Sequence, residues 1–131
     1  MTMAAKQLAD KAKAHLDSGR AKSAFKTAKT AMKKFPKESF FPNVCGIALT
    51  QQNNQREAIS YFRKALQLFP GNIDAQNNLV QALTSVGQSD AALTLIEKYL
   101  TSRKDRDNLR YFKAVAESHS GDHPAAESTL N

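Results

Sequence analysis

Cysteine occurs once in the 131 residues, at Cys45. One thiol closes no internal disulfide, which argues against a secreted domain stapled by bridges. No stretch approaches 18 uncharged apolar residues, so nothing in the sequence reads as a membrane span, and the opening Met1-Thr2-Met3-Ala4-Ala5-Lys6-Gln7 has no apolar run of the kind a signal peptide needs. The expected location is therefore cytoplasmic, without membrane attachment. Chemistry-bearing clusters are equally scarce. The three histidines, His15, His119 and His123, stand at no ligand spacing from Cys45 or from carboxylates, and Gly121 and Pro124 break any helix that would align His119 with His123. Phosphate-cradling loops, nucleophile elbows and dinucleotide fingerprints are missing. The sequence thus shows no catalytic residue, no metal and no cofactor, and reads as a non-enzyme. Glycine and proline are also few, 5 and 4, against 20 alanines. Such a chain favours helix, because alanine loses no side-chain entropy there.

What is present is ordinary for a soluble domain: 41 % hydrophobic and 24 % charged residues in 14.4 kDa. The net charge of +7 is unevenly spread. Residues 1–37 hold ten Lys or Arg and two Asp, whereas residues 38–131 hold nine basic and ten acidic residues. The basic character belongs to the first segment alone.

A fixed period organises the chain. Ala24, Ala58, Ala92 and Ala126 are 34 residues apart, Pro36 and Pro70 share the interval, and Gly19, Gly87 and Gly121 fall in one register with Asn53 in the remaining slot. Within a period, Ala58, Ile59, Phe62, Ala65, Leu66 and Phe69 recur at steps of three and four, one apolar helix face. Val44, Cys45, Ile47, Ala48 and Leu49 form another, and Gln51-Gln52-Asn53-Asn54-Gln55 is the polar turn between them. The spacing predicts helices over 4–17, 21–34, 40–52, 55–68, 73–86, 89–101, 107–119 and 123–130. Pro36 and Pro70 stop the second helix of their units, while Pro42 lies in the first turn of the third helix, where a missing N–H costs little.

A 34-residue helix-turn-helix unit ending in proline resembles the tetratricopeptide-repeat (TPR) family, over essentially the whole chain. Gly46, Leu49, Ala58, Phe62, Ala65 and Pro70 fill six of the family's signature slots in the second unit, and Leu8, Ala12, Gly19, Ala24, Ala31 and Pro36 fill the matching slots of the first. The third unit departs at Val80, Tyr99 and Lys104; the fourth puts Lys113 and Glu117 where apolar residues belong and shifts its apolar set to Leu109, Phe112 and Ala116. The resemblance implies an all-α, right-handed α-solenoid of antiparallel helix hairpins, about 3.5 to 4 repeats in one domain over 1–131. The repeats fall at 5–38, 39–72, 73–106 and 107–131, with the last truncated and its helix pair packed at an altered angle. Solenoid ends need polar caps, and the apolar face runs out at Leu130-Asn131. The chain is thus expected to be an N-terminal piece of a longer protein; otherwise a homodimer contact or an unstructured tail covers that end.

The resemblance also implies that the first helix of each hairpin lines a concave groove. On this chain the groove would carry Lys6, Ala9 and Lys13 from the first unit, and Phe40, Asn43 and Ile47 from the second. Asp74, Asn77, Asn78 and Gln81 would come from the third, and Tyr111, Phe112 and Val115 from the fourth. Asn43 and Asn77 are one period apart, so two amides could each bond a peptide backbone, with Phe40, Ile47 and Tyr111 supplying apolar pockets; the plain alternative is that these amides are merely solvated. The Lys, Asn and Arg set by which some relatives grip a C-terminal carboxylate is not matched: Lys13 and Asn78 suit two slots, but Ala9, Val44 and Asp74 occupy others.

Lys22, Lys26, Lys29 and Lys33 form one stripe of the second helix. It reads first as a solvated outer face and second as a surface for an acidic partner. No stacking aromatics interleave with the lysines, which argues against nucleic acid. The expected function is a protein–protein or peptide-binding scaffold that uses the groove. The alternative is a substrate-recruiting N-terminal region of a larger enzyme such as a sulfotransferase or glycosyltransferase, an analogy drawn from the family.

Overall fold

The computed structural model describes residues 1–101 and 113–117, and all regular structure among them is helical. Six helices follow in order: α1 (Met3–Asp17), α2 (Ala21–Lys34), α3 (Phe40–Gln51), α4 (Gln55–Leu68), α5 (Ile73–Ser85) and α6 (Ser89–Leu100). Each end lies within one residue of its expected place. Residues 113–117 are helical as well. The rest of the helix expected over 107–119, the helix expected over 123–130, and with them Tyr111 and the packing angle of the last pair, lie outside the described residues. The chain divides into two compact units, Met1–Asn78 and Leu79–Asn131, with the boundary inside α5.

Local chemistry sets the ends of these helices. Thr2 caps α1, its hydroxyl accepting from the Ala5 N–H at 3.1 Å. Asn54 caps α4 by accepting from the Glu57 N–H, while its own amide donates to the Glu57 carboxylate at 2.7 Å, a reciprocal arrangement that satisfies one of the free donors of the first turn. Asn72 accepts from the Ala75 N–H at the start of α5 and donates to the Ser39 hydroxyl at 3.0 Å, which ties the loop before α5 to the loop before α3. Helices α2 and α4 both close on a phenylalanine, Phe35 or Phe69, whose N–H returns to Ala31 or Ala65. A proline follows at once in each case.

The turn inside each hairpin is where the register of Gly19, Asn53 and Gly87 acquires its meaning. All three have positive φ, 73°, 61° and 83°. In this left-handed conformation the next N–H reaches back to close the helix: Arg20 to His15, Asn54 to Leu49 and Gln88 to Leu83, at 2.8, 2.8 and 2.9 Å. Glycine adopts this backbone freely and asparagine is the residue that best replaces it.

Within Met1–Asn78 the core is built from alanine. Ala5, Ala9 and Ala12 of α1 and Ala28 and Ala31 of α2 are buried together with Phe41, Val44 and Cys45 of α3. Ala9 is therefore a core residue and not a groove residue: it shares a face with Lys13 and Leu16 but lies about one to two turns earlier on α1, where the helix is packed into the core and the groove does not reach. Ala24 and Ala58 are fully buried, and small side chains there allow paired helices to approach closely. Gly46 goes further: a Cβ placed on it would stand 2.6 Å from Cδ1 of the buried Phe62 ring. Larger residues fill the remaining space. Phe25 of α2 meets Tyr61 of α4 edge-on at 5.7 Å, and Phe35 stacks on Phe41 at 6.3 Å.

Within Leu79–Asn131, Ala92 keeps the buried small position, while Val80, Leu83, Ile96 and Tyr99 supply bulk. Val80 and Tyr99, which depart from the family pattern, are both buried. Glu117 is buried too, and Lys113 lies against both Glu117 and Glu97. The two charges that replace apolar residues therefore compensate one another, as a buried carboxylate requires. The fourth alanine of the register, Ala126, lies outside the described residues.

Candidate binding groove

The C-terminal half of α1, the inner side of α3 and the first turns of α5 enclose a groove of about 850 Å³ in Met1–Asn78. Helix α1 contributes Lys13, Leu16 and Asp17; α3 contributes Phe40, Asn43, Val44, Ile47 and Gln51; α5 contributes Ile73, Asp74, Asn77 and Asn78. The loops add Glu38, Ser39, Phe69, Gly71 and Asn72. The positions follow from helix geometry. Lys13, Leu16 and Asp17 are spaced three and four, as are Phe40, Val44, Ile47 and Gln51, so each set shares one face. A pocket of this size with an apolar floor and a few fixed polar groups is the usual form of a recognition site.

Seven expected groove residues come together here: Lys13, Phe40, Asn43, Ile47, Asp74, Asn77 and Asn78. Lys6 is exposed on α1 but does not line the groove. Gln81 is exposed and belongs to the second unit. Tyr111 is outside the described residues.

The two asparagines one period apart differ in state. Asn43 is 6 % exposed, and its Oδ1 accepts from Nδ2 of Asn78 at 3.0 Å. Its carbonyl is committed within the protein. Asn77 is partly buried, and its Oδ1 is shielded from solvent without any hydrogen-bond partner. The repeat spacing makes the two look equivalent; the neighbour at Asn78 separates them.

Sequence reasoning missed two of the three acids on the rim, Asp17 and Glu38, and two apolar edges. Asp17 and Glu38 line the groove with Asp74, against a single lysine, Lys13. Asp17 is four residues beyond Lys13, so the helical step that selected one selects the other. Phe69 and Ile73 flank the Pro70-Gly71-Asn72 turn and are 57 % and 50 % exposed, although helical spacing groups Phe69 with the apolar face of its unit. The lysine stripe lies elsewhere. Lys22, Lys26, Lys29 and Lys33 are exposed on α2 and none lines the groove. Lys29 Nζ sits 5.6 Å from the Phe25 ring centre, and Lys26 borders a smaller hollow of about 330 Å³ between α1 and α2. Among the described residues, no three His, Cys, Asp or Glu side chains could together hold a metal ion, and no helix is long and apolar enough to cross a membrane.

Comparison with known proteins agrees with this architecture. A tetratricopeptide-repeat family model matches residues 49–116. Superkiller protein 3 of Saccharomyces cerevisiae is 27 % identical over 73 residues, which is 56 % of this chain and 5 % of that protein; the chain thus spans a small fraction of the curated relative's length. Among solved structures, MamA from Desulfovibrio magneticus superposes with a TM-score of 0.85 at 20 % identity, covering 98 % of this chain and 75 % of that one. An O-GlcNAc transferase from Thermobaculum terrenum superposes with a TM-score of 0.76 at 23 % identity, covering 89 % of this chain and 23 % of that one. At these identities the likeness is one of fold, an α-helical repeat solenoid.

Proposed function

Because the chain belongs to the tetratricopeptide-repeat family, we propose that it is a scaffold that binds a segment of a partner protein in the groove between α1, α3 and α5. The observation that carries this reading is the pairing of exposed apolar side chains with a stranded acceptor. Phe69 and Ile73 are at least half exposed at the groove edge, and Asn77 Oδ1 in the same lining has no partner. Apolar area of this kind gains about 25 cal/mol for each Å² removed from water, and a buried carbonyl oxygen without a donor costs about 1–3 kcal/mol until one arrives. A peptide offers both an apolar side chain and an N–H. The exposed lysines of α2 form a second, separate surface, and an acidic partner or an acidic part of the same partner would be met there.

The test is a comparison of partners captured from the native cell extract by the chain and by a Phe69→Ser/Ile73→Ser variant. Both side chains are exposed, so the variant keeps its fold. Loss of the captured partner supports the groove; an unchanged set of partners removes it.

A second reading is favoured by the likeness to the transferase, of which this chain matches 23 %. In that reading the helical array is the substrate-recruiting region of a larger enzyme, and the groove holds the substrate protein. The coding sequence beyond Asn131 decides it: a transferase domain in the same frame supports the reading and an immediate stop codon ends it. The same datum bears on the single-domain reading of 1–131 and on a homodimer through the C-terminal end, which sedimentation of the chain alone would test.

A further inference from the structure

Taking the groove as a binding site, we infer that it selects a segment carrying lysine or arginine beside its apolar residues. The groove is rich in acceptors and poor in donors. Asp17, Glu38 and Asp74 supply three carboxylates, and among the described residues none of them has a cation within 4 Å. Asn77 adds a carbonyl oxygen that is out of solvent and unpartnered. Against these stands Lys13 alone. The chain as a whole is strongly basic, yet this concavity is acidic, and a concave site with apolar walls strengthens the field of the charges around it.

Helix chemistry explains two of the three carboxylates and not the third. Asp74 is in the first turn of α5, and Glu38 immediately precedes the N-cap of α3, where the helix dipole favours an anion regardless of function. Asp17 is the last residue of α1, the end at which the free carbonyls disfavour an anion. It forms no ion pair among the described residues, and its only distinction is its place on the groove wall beside Lys13 and Leu16. Ammonium and guanidinium groups supply several donors each and no acceptor, which is the complement of this lining. Lysine and arginine side chains also lay an apolar stem along an apolar floor while the charged head reaches the rim, and Leu16, Phe40 and Ile47 are available for such a stem.

The experiment titrates the chain against two short fluorescent peptides that share one apolar sequence, the first bearing lysines and the second glutamates. The lysine peptide should bind about tenfold or more tightly, since each exposed pair is worth up to about 1 kcal/mol, and the difference should shrink in high salt. Asp17→Asn should lower the preference several-fold without lowering the melting temperature, and Asp17→Asn/Glu38→Gln/Asp74→Asn should abolish it. Equal binding of the two peptides, or preference for the glutamate peptide, overturns the inference and leaves the groove reading in place. Binding of neither overturns both. A lysine-peptide preference that survives the triple substitution also overturns it, because the attraction then comes from outside the groove.

Discussion

Gly46 of α3 lies so close under the Phe62 ring of α4 that a Cβ would stand 2.6 Å from Cδ1 and 2.7 Å from Cζ. Phe62 is only 2 % exposed and cannot swing aside. Gly46→Ala should therefore cost about 1–3 kcal/mol of overpacking, partly offset by about 1 kcal/mol of better helix propensity, and melting should fall by a few degrees. The sign should reverse on a Phe62→Leu background, where the helix preference alone remains. A melt showing Gly46→Ala stabilised with the ring intact would mean that Phe62 does not press on the glycine.

The hairpin turns predict a pair of opposite effects. Gly87 has φ of 83°, and a Cβ added there would meet nothing within 4 Å. Gly87→Ala therefore meets only the backbone penalty of a left-handed conformation, about 1–2 kcal/mol. Asn53 bears a smaller version of that penalty at φ of 61°, and Asn53→Gly should raise stability by up to about 1 kcal/mol. Denaturant midpoints moving in the same direction for both variants would contradict the shared register.

Cys45 gives a pH prediction. Its side chain is fully buried, with Sγ 3.7 Å from the Met32 sulfur. Burial pushes the thiol up to about 12, with Lys29 and Lys64 drawing it back slightly. The folded chain keeps this proton after the unfolded chain, titrating at about 8.5, has released it. The unfolded state then binds fewer protons, so stability falls as pH rises from about 8.5 towards 12 and is unaffected below. Urea unfolding of the chain and of Cys45→Ala should diverge in slope only in that alkaline window. A thiol reagent that modifies native Cys45 rapidly at neutral pH would show that the sulfur is not enclosed.

The fold was legible because the period and its punctuation repeat. Gly19, Asn53 and Gly87 mark the same backbone turn, and Ala24, Ala58 and Ala92 the same buried notch. Helix ends need only local chemistry, and Thr2, Asn54 and Pro36 supply it. The groove was legible in outline, since helical steps of three and four group Lys13, Phe40 and Ile47 with their neighbours. Its electrostatics were not. Asp17, Glu38 and Asp74 come from three separate elements, and no periodicity in the sequence links them. Nor could spacing distinguish Asn43 from Asn77, because the difference depends on Asn78, 35 residues from Asn43. Lys113 and Glu117 interrupt an apolar face in the sequence at a spacing of four that lets them pair, whereas the approach of Glu97 to Lys113 has no signal there.

That difference between the two asparagines separates stability from binding. Asn43→Ala deletes the acceptor for Asn78 Nδ2 in a site where Asn43 is 6 % exposed, and should cost about 1–3 kcal/mol. Asn77→Leu keeps the shape and removes a shielded acceptor that has no partner, so stability should hold or rise. Binding should respond in the other sense. Asn77→Leu removes the solvent-shielded carbonyl that would accept a ligand donor and should weaken the lysine peptide several-fold, the size of one lost hydrogen bond. Chemical denaturation and peptide titration of both variants give the comparison. If Asn77→Leu destabilised the chain as much as Asn43→Ala does, Asn77 would be a structural residue like its counterpart, and its shielded carbonyl would drop out of the groove's acceptors.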